Sequence, residues 1–159
     1  MKIVKDKAII FRTTKPHLVT ERIKNHKVID QDDGTFKVAV RWALKEAQIL
    51  TALGVKDVPS PIGRDYEWSG RFTPFDHQKK TSSFLTLNKK AFCFNEQGTG
   101  KTASVIWAAD YLMQQEKIKR VLVICPLSIM KSAWQEDLFK FAMHRTCSVA
   151  HGTAAQRRK

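Results

Sequence analysis

The apolar positions of this chain change period from segment to segment, and the changes mark its elements. Ala8-Ile9-Ile10-Phe11-Arg12 is a short run of strand type. Thr13-Thr14-Lys15-Pro16 supplies a hydroxyl cap and a proline for a first helical turn. That helix is expected to run to about Asn25, with Leu18, Val19 and Ile23 inward. Val28-Ile29 reads as a second strand. Asp32-Asp33-Gly34 is a tight turn, and Asp-Gly is a strong hairpin signal. Phe36, Val38 and Val40 alternate with Thr35, Lys37 and Ala39, which predicts a third strand. From Trp42 to Leu53 the pattern turns helical, and Gly54 is a natural stop. Residues 1–54 therefore read as a small α+β domain. Residues 55–70 carry Pro59, Pro61, Gly63, Gly70, Ser60 and Ser69, which predicts a linker, with Tyr66 and Trp68 as packing anchors.

The remainder, 71–159, has a different rhythm. Phe72-Thr73-Pro74-Phe75-Asp76-His77-Gln78 leads into a helix expected to end near Leu87, with Asp76 as its cap. An apolar strand follows at 91–94, then a glycine turn, then a helix from Thr102 to about Gln115 that packs through Val105, Ile106, Ala108, Ala109 and Leu112. Trp107 sits at its edge. Val121-Leu122-Val123-Ile124-Cys125 is uniformly apolar, as a central parallel strand should be. A helix over about 129–142 carries Ile129, Met130, Ala133, Trp134, Leu138 and Phe141 at core spacing. Residues 147–150 form a third short strand. Strand, helix and strand at this spacing predict right-handed crossovers, hence an α/β unit with a parallel sheet.

Charge adds a partner class. The formal net charge is +13 over 159 residues. Residues 1–70 hold 13 Lys/Arg against 9 Asp/Glu, and residues 71–159 hold 15 against 6. The excess lies with the glycine turn and points to a phosphate-rich partner. Lys24, Lys27, Lys37, Arg41 and Lys45 offer a second basic face, or simply a solvated one. His17 and His26 lack partners at metal spacing. Cys93, Cys125 and Cys147 are odd in number, without a CxxC pair, and lie in apolar runs, which predicts small buried hydrophobes in a reducing compartment. No apolar stretch reaches the length of about 18 residues needed to cross a bilayer, and the N-terminus has no signal-peptide pattern. The expectation is a soluble intracellular protein without membrane association, in the cytoplasm of a bacterium or phage-infected cell, or in a nucleus.

The chemistry concentrates in Asn95-Glu96-Gln97-Gly98-Thr99-Gly100-Lys101-Thr102. Gly98 and Gly100 let the backbone approach a ligand closely and adopt dihedrals closed to other residues. Successive amides then converge beside a helix N-terminus, forming an anion hole. Lys101 adds a mobile positive charge, and Thr102 adds a hydroxyl suited to Mg²⁺. The strict pattern G-x-x-x-x-G-K-[ST] needs glycine at 95, where this chain has Asn95.

These residues resemble the first motif of the first RecA-like lobe of superfamily 2 helicases and translocases, nearest the Snf-type DNA-dependent ATPases. In that family an acidic residue usually stands at 95 and Met at 97. Pro74-Phe75-Asp76-His77-Gln78 resembles its glutamine motif. By that resemblance Gln78 would bond the adenine edge, and Phe72 or Phe75 would stack on it. Val121-Leu122-Val123-Ile124-Cys125-Pro126-Leu127-Ser128 is similar to the motif after the second strand, so Pro126, Leu127 and Ser128 would meet a DNA backbone. Trp134, His151-Gly152 and Arg157 are similar to later family positions. The resemblance spans about 72–159. It implies an α/β fold with a partial RecA-like P-loop parallel sheet behind the small α+β accessory domain. ATP and Mg²⁺ would be the cofactors. Gly98, Thr99, Gly100, Lys101 and Thr102 would hold the phosphates, with Lys101 and Thr102 catalytic and Thr102 also meeting the metal through the nucleotide. DNA and a second RecA-like lobe in a longer parent protein would be the partners.

The chain has no Asp-Glu-x-His or Asp-Glu-x-Asp box to complete Mg²⁺ binding and orient the attacking water. Asp110, Glu116, Glu136 and Asp137 are not suited to replace it. The leading expectation is thus a nucleotide-binding portion of a DNA helicase, inactive by itself, with its sheet covered by the remaining lobe, a protein partner or a second copy. The alternative is a stand-alone basic module that binds nucleic acid or protein, as an inhibitor or adaptor. A small nucleotide kinase is a third reading, weakened by the missing glycine at 95 and by the unexplained glutamine motif.

Overall fold

The computed structural model describes residues 1–68 and 70–157. Ser69 of the expected linker, and Arg158 and Lys159 at the end of the expected second unit, lie outside the described residues.

The N-terminal third is a four-stranded sheet of β1 (Lys2–Val4), β2 (Ala8–Thr13), β3 (His26–Asp32) and β4 (Thr35–Arg41). The strand order is β1-β2-β4-β3, and every pairing is antiparallel. Alternation sets its inner face. Ile9 lies opposite Val40 and Phe11 opposite Val38, all four buried. A shift of one residue would turn that apolar row to water, so the register is strongly specified. Asp33 and Gly34, both at positive φ (45° and 72°), make the tight β3–β4 turn that Asp-Gly predicts. α1 (Pro16–Thr20) and α2 (Leu44–Ala52) pack on the inner face through Val19 and Leu50, with Ile23 just past α1 and Trp42 just before α2. Full burial of one such aliphatic side chain contributes about 1.5–3 kcal/mol.

α1 spans five residues rather than ten. After it, Ile23 is buried in a turn whose carbonyl holds the His26 ring at 2.6 Å. The Trp42 indole donates to the Pro59 carbonyl at 2.9 Å, and the Arg64 guanidinium lies 4.6 Å from the centre of the Trp42 ring. These contacts fasten residues 59–64 against the sheet.

A second core gathers around α3 (Ile62–Asp65), α4 (Asp76–Leu87) and α5 (Lys101–Gln114). It contains Leu44 and Ala47 of α2, then Ile62, Tyr66, Leu87, Ala103, Trp107 and Tyr111. Tyr66 anchors here as expected, edge-on to Trp68 at 5.4 Å and to Tyr111 at 6.0 Å. Trp107 is central rather than peripheral, edge-on to Trp68 and to Phe141. Gln48 of α2 donates to the Thr86 carbonyl at 2.8 Å, and the hydroxyls of Ser60 and Thr86 meet at 2.7 Å.

The structure corrects the expected partial RecA-like parallel sheet. The sheet among the described residues is wholly antiparallel, and it lies in the N-terminal unit. Residues 91–94, 121–125 and 147–150 form neither strand nor helix. No backbone hydrogen bond pairs 91–95 or 120–125 with another segment among the described residues. The physical reason is that β-branched, apolar runs report a preference for an extended, buried backbone, whereas a strand also needs a neighbour for its amides and carbonyls. Phe92, Phe94, Leu122 and Ile124 are consequently 82–91% exposed.

The cysteine expectation changes with it. Cys93 and Cys125 are half-buried and Cys147 is exposed, all as free thiols. The expected helix over 129–142 is wound in three ways. It is 3₁₀ at Leu127–Ile129, π at Met130–Gln135, and then α6 (Glu136–Phe141). Its expected core residues are at most half-buried, and Ile129 is exposed. A last short turn, α7 (Ala154–Arg157), ends the described chain.

Candidate functional site: the glycine loop between α4 and α5

Gly98 and Gly100 both sit at positive φ, 75° and 76°, and Gly100 is the residue that opens α5. Glycine at 100 suits the left-handed dihedral there, and a Cβ would meet the end of the Gln78 side chain, which would have to turn aside. The loop thus lies against α4 at this point.

The face of α4 toward the loop is polar. Gln78 Nε2 donates to the Thr99 carbonyl at 3.2 Å, while its Oε1 accepts from the Phe75 amide at 3.0 Å. One side chain thus satisfies an orphan donor at the start of α4 and fixes the loop. Phe75, and not the expected Asp76, is the capping residue. His77 Nε2 reaches the same Thr99 carbonyl at 3.1 Å. The Thr81 hydroxyl accepts from Asn95 Nδ2 at 2.9 Å, and Ser82 Oγ donates to the Ser104 carbonyl at 3.0 Å. Sequence reasoning gave Thr81 and Ser82 no role, and it quoted His77 and Asn95 only as members of their motifs, without a contact of their own. The signal for them was positional: 77, 78, 81 and 82 are polar at one helix-face spacing.

Lys101 folds back over the loop. Its Nζ donates to the carbonyls of Asn95 and Glu96 at 2.8 and 2.7 Å. An ammonium has three donors, so one remains after these two bonds. Thr99 Oγ1 donates to the Glu96 carbonyl at 2.8 Å. Thr102 follows on the first turn of α5, half-buried. The backbone amides that open α5 have no intrahelical acceptor, which gives this end its affinity for anions.

Phe75 is 68% exposed, and its ring stacks on His77 at 5.7 Å with 12° between planes. Phe72 instead leans on Phe141 at 6.0 Å. The structure thus brings Phe75, Gln78, Gly98, Thr99, Gly100, Lys101 and Thr102 into one neighbourhood. Pro126, Leu127 and Ser128 are exposed at a 3₁₀ turn, and no hydrogen bond joins them to the loop among the described residues. No group of three His, Cys, Asp or Glu among the described residues is arranged to hold a metal ion.

Asp110, on the far turns of α5, proves to be the most connected side chain of this half. It is 2% exposed. One oxygen accepts from His144 Nε2 at 2.9 Å and from Arg145 Nε at 2.6 Å; the other accepts from the Tyr66 hydroxyl at 2.8 Å and from Gln114 Nε2 at 3.2 Å. Burial opposes its charge, but the bonds from Arg145, His144 and Tyr66 outweigh it and hold the carboxyl below the usual aspartate range. The site is a clamp, not a catalytic acid. Beside it, burial pushes the Tyr111 phenol up, with the nearby Asp65 charge adding to the effect.

The loop, its lysine and the polar helix behind it thus form a helix start whose unpaired amides have the chemistry to receive an anion. Compared with known families, residues 37–159 match the SNF2-related domain. The match covers most of the chain, and the protein belongs to that family. Membership carries, in general terms, a nucleotide-binding role and action on DNA within the helicase and translocase ATPases. Neither curated proteins nor solved structures yielded a match. No helix among the described residues is long and apolar enough to cross a membrane.

Proposed function

We propose that this chain is the nucleotide-binding portion of an ATP-dependent DNA translocase, and that ATP with Mg²⁺ is the ligand of the 95–102 loop. The observation that carries this reading is the Lys101 ammonium, held over the loop by two backbone carbonyls beside glycines at positive φ and an unpaired helix start. The residues fit a polyphosphate. The amides from Gly98 to Thr102 supply donors, the remaining Lys101 donor supplies charge, and the Thr102 hydroxyl suits the metal ion. Bound Mg²⁺ would neutralise charge on the outer phosphates. Phe75 offers an exposed ring for the adenine, and Gln78 would bond its edge by exchanging its hold on Thr99. Pro126, Leu127 and Ser128 serve as backbone contacts for DNA. Residues 1–54 act as an accessory unit and 71–159 as the nucleotide-responsive one, with 55–70 between them.

Hydrolysis needs the acidic pair that this sequence lacks. The chain alone is expected to bind Mg-ATP and to turn it over at background rate. Backbone NMR during a Mg-ATP titration tests this. Shifts centred on residues 96–102 that vanish in Lys101→Ala are the expected outcome. Unmoved amides at millimolar nucleotide refute the ligand assignment. Robust turnover dependent on Lys101 refutes the inactivity.

A further inference from the structure

The helices pack on one face of the N-terminal sheet and leave the other open. Strand register shows what that open face carries. Lys2 lies beside Ile10, Ile10 beside Ala39, and Ala39 beside Lys27, one row across all four strands. The next rows place Val4, Ala8 and Arg41 on one side and Arg12, Lys37 and Asp30 on the other. The centre is thus small and aliphatic, and five cations surround it. Arg12 confirms the facing, since it bonds Asp32 at 3.4 Å and the Thr35 hydroxyl at 3.2 Å across the same surface. The acidic side chains cluster at the hairpin end, as Asp30 and Asp32. Toward the other end, Lys2, Lys27 and Arg41 are exposed, and no ion pair holds them among the described residues.

We propose that this open sheet face binds the phosphate backbone of duplex DNA through Lys2, Lys27, Lys37 and Arg41, with Arg12 at its margin. Charge complementarity selects a polyanion. Twelve outward positions are assigned by the register, and none is aromatic. The face therefore has no ring on which unpaired bases stack, which argues against single strands. It also lacks the aromatic anchor that centres most protein interfaces. Three strand spacings separate Lys2 from Lys27, about 14 Å. That span is comparable with the ~12 Å major groove, so the two can meet phosphates on both of its edges. The contact reads no sequence and needs no nucleotide. Of the five basic residues noted in the N-terminal unit from sequence, Lys27, Lys37 and Arg41 share this face; Lys45 lies on α2 and Lys24 follows α1.

The test is fluorescence anisotropy of the full chain with a labelled duplex of about 30 base pairs, sized to cover the site, at three salt concentrations and without ATP. Lys27→Glu with Arg41→Glu is expected to weaken binding at least tenfold, a change of about 1.4 kcal/mol. The neutral pair Lys27→Gln with Arg41→Gln should lower the slope of log affinity against log salt by about 0.9 per lost phosphate contact. Lys79→Glu with Lys80→Glu on α4 should bind like the parent chain. Circular dichroism checks the fold, and the neutral pair stands in if the charge-reversed chain fails to fold. Equal binding by the sheet variants, or a loss no larger than that of the Lys79/Lys80 pair, overturns the proposal. So does tighter binding to an acidic peptide than to duplex. The glycine-loop reading is untouched by either result.

Discussion

Asp110 shows how much one buried side chain decides. A carboxylate with a single partner loses more by desolvation than it gains, but four donors around two oxygens reverse the balance. Asp110→Ala should lower stability by about 2–4 kcal/mol, read from urea unfolding, because Tyr66 loses its acceptor inside the core. The carboxyl is held below its unfolded value, so its contribution is complete above the ordinary aspartate range and fades as pH falls through the lower folded value. Acid unfolding of the parent should therefore be steeper than that of Asp110→Asn. Tyr111 is the opposite case. Its hydroxyl is buried without a hydrogen-bond partner among the described residues, so Tyr111→Phe should leave stability unchanged or raise it by about 1 kcal/mol. Gly100→Ala puts a side chain at a left-handed φ and displaces the Gln78 amide that holds Thr99. It should displace the loop and weaken Mg-ATP binding more than tenfold in calorimetry, while Gly34→Ala, in an open hairpin turn, should not.

At the scale of elements, α4 and α5 form the working pair. Small hydroxyl residues, Ser82 and Ser104, allow them to approach closely, and Ser82 satisfies a carbonyl of the neighbouring helix. Tying the loop to α4 through Thr99 gives its amides a fixed direction at little further entropic cost. The clamp on Asp110 then fixes the other end of α5 to residues 144 and 145. The segments at 91–95 and 120–125 have no backbone pairing among the described residues. Hydrogen exchange should separate the two classes. Amides of 121–125 should exchange within seconds, whereas those in the middle of α5 and in β4 should be protected near the global limit. Slow exchange at 121–125 would show that these segments pair in solution.

Across the whole molecule, two cores meet at α2, which contributes Leu50 to one and Leu44 and Ala47 to the other. The rings at 92 and 94, stacked on each other, and the aliphatics at 122 and 124 stand exposed to solvent. Much of this was legible in the chain itself. The Val38/Val40 alternation, the Asp-Gly turn, and the bounds of α4 and α5 follow from local periodicity and turn chemistry, because those forces act between residues close in sequence. The glycines and lysine of the loop were equally readable, since the demand for positive φ is local. What periodicity could not supply was pairing. The runs at 91–94, 121–125 and 147–150 have strand composition, but whether an extended backbone becomes a strand depends on which neighbour accepts its hydrogen bonds. The role of Asp110 was hidden for the same reason, as its partners at 66, 144 and 145 converge only in three dimensions. Composition and local order determined the turn, the helices and the charge of this protein; the tertiary structure alone decided which segments find partners and which face of the sheet stays open, because both depend on contacts between residues far apart in the chain.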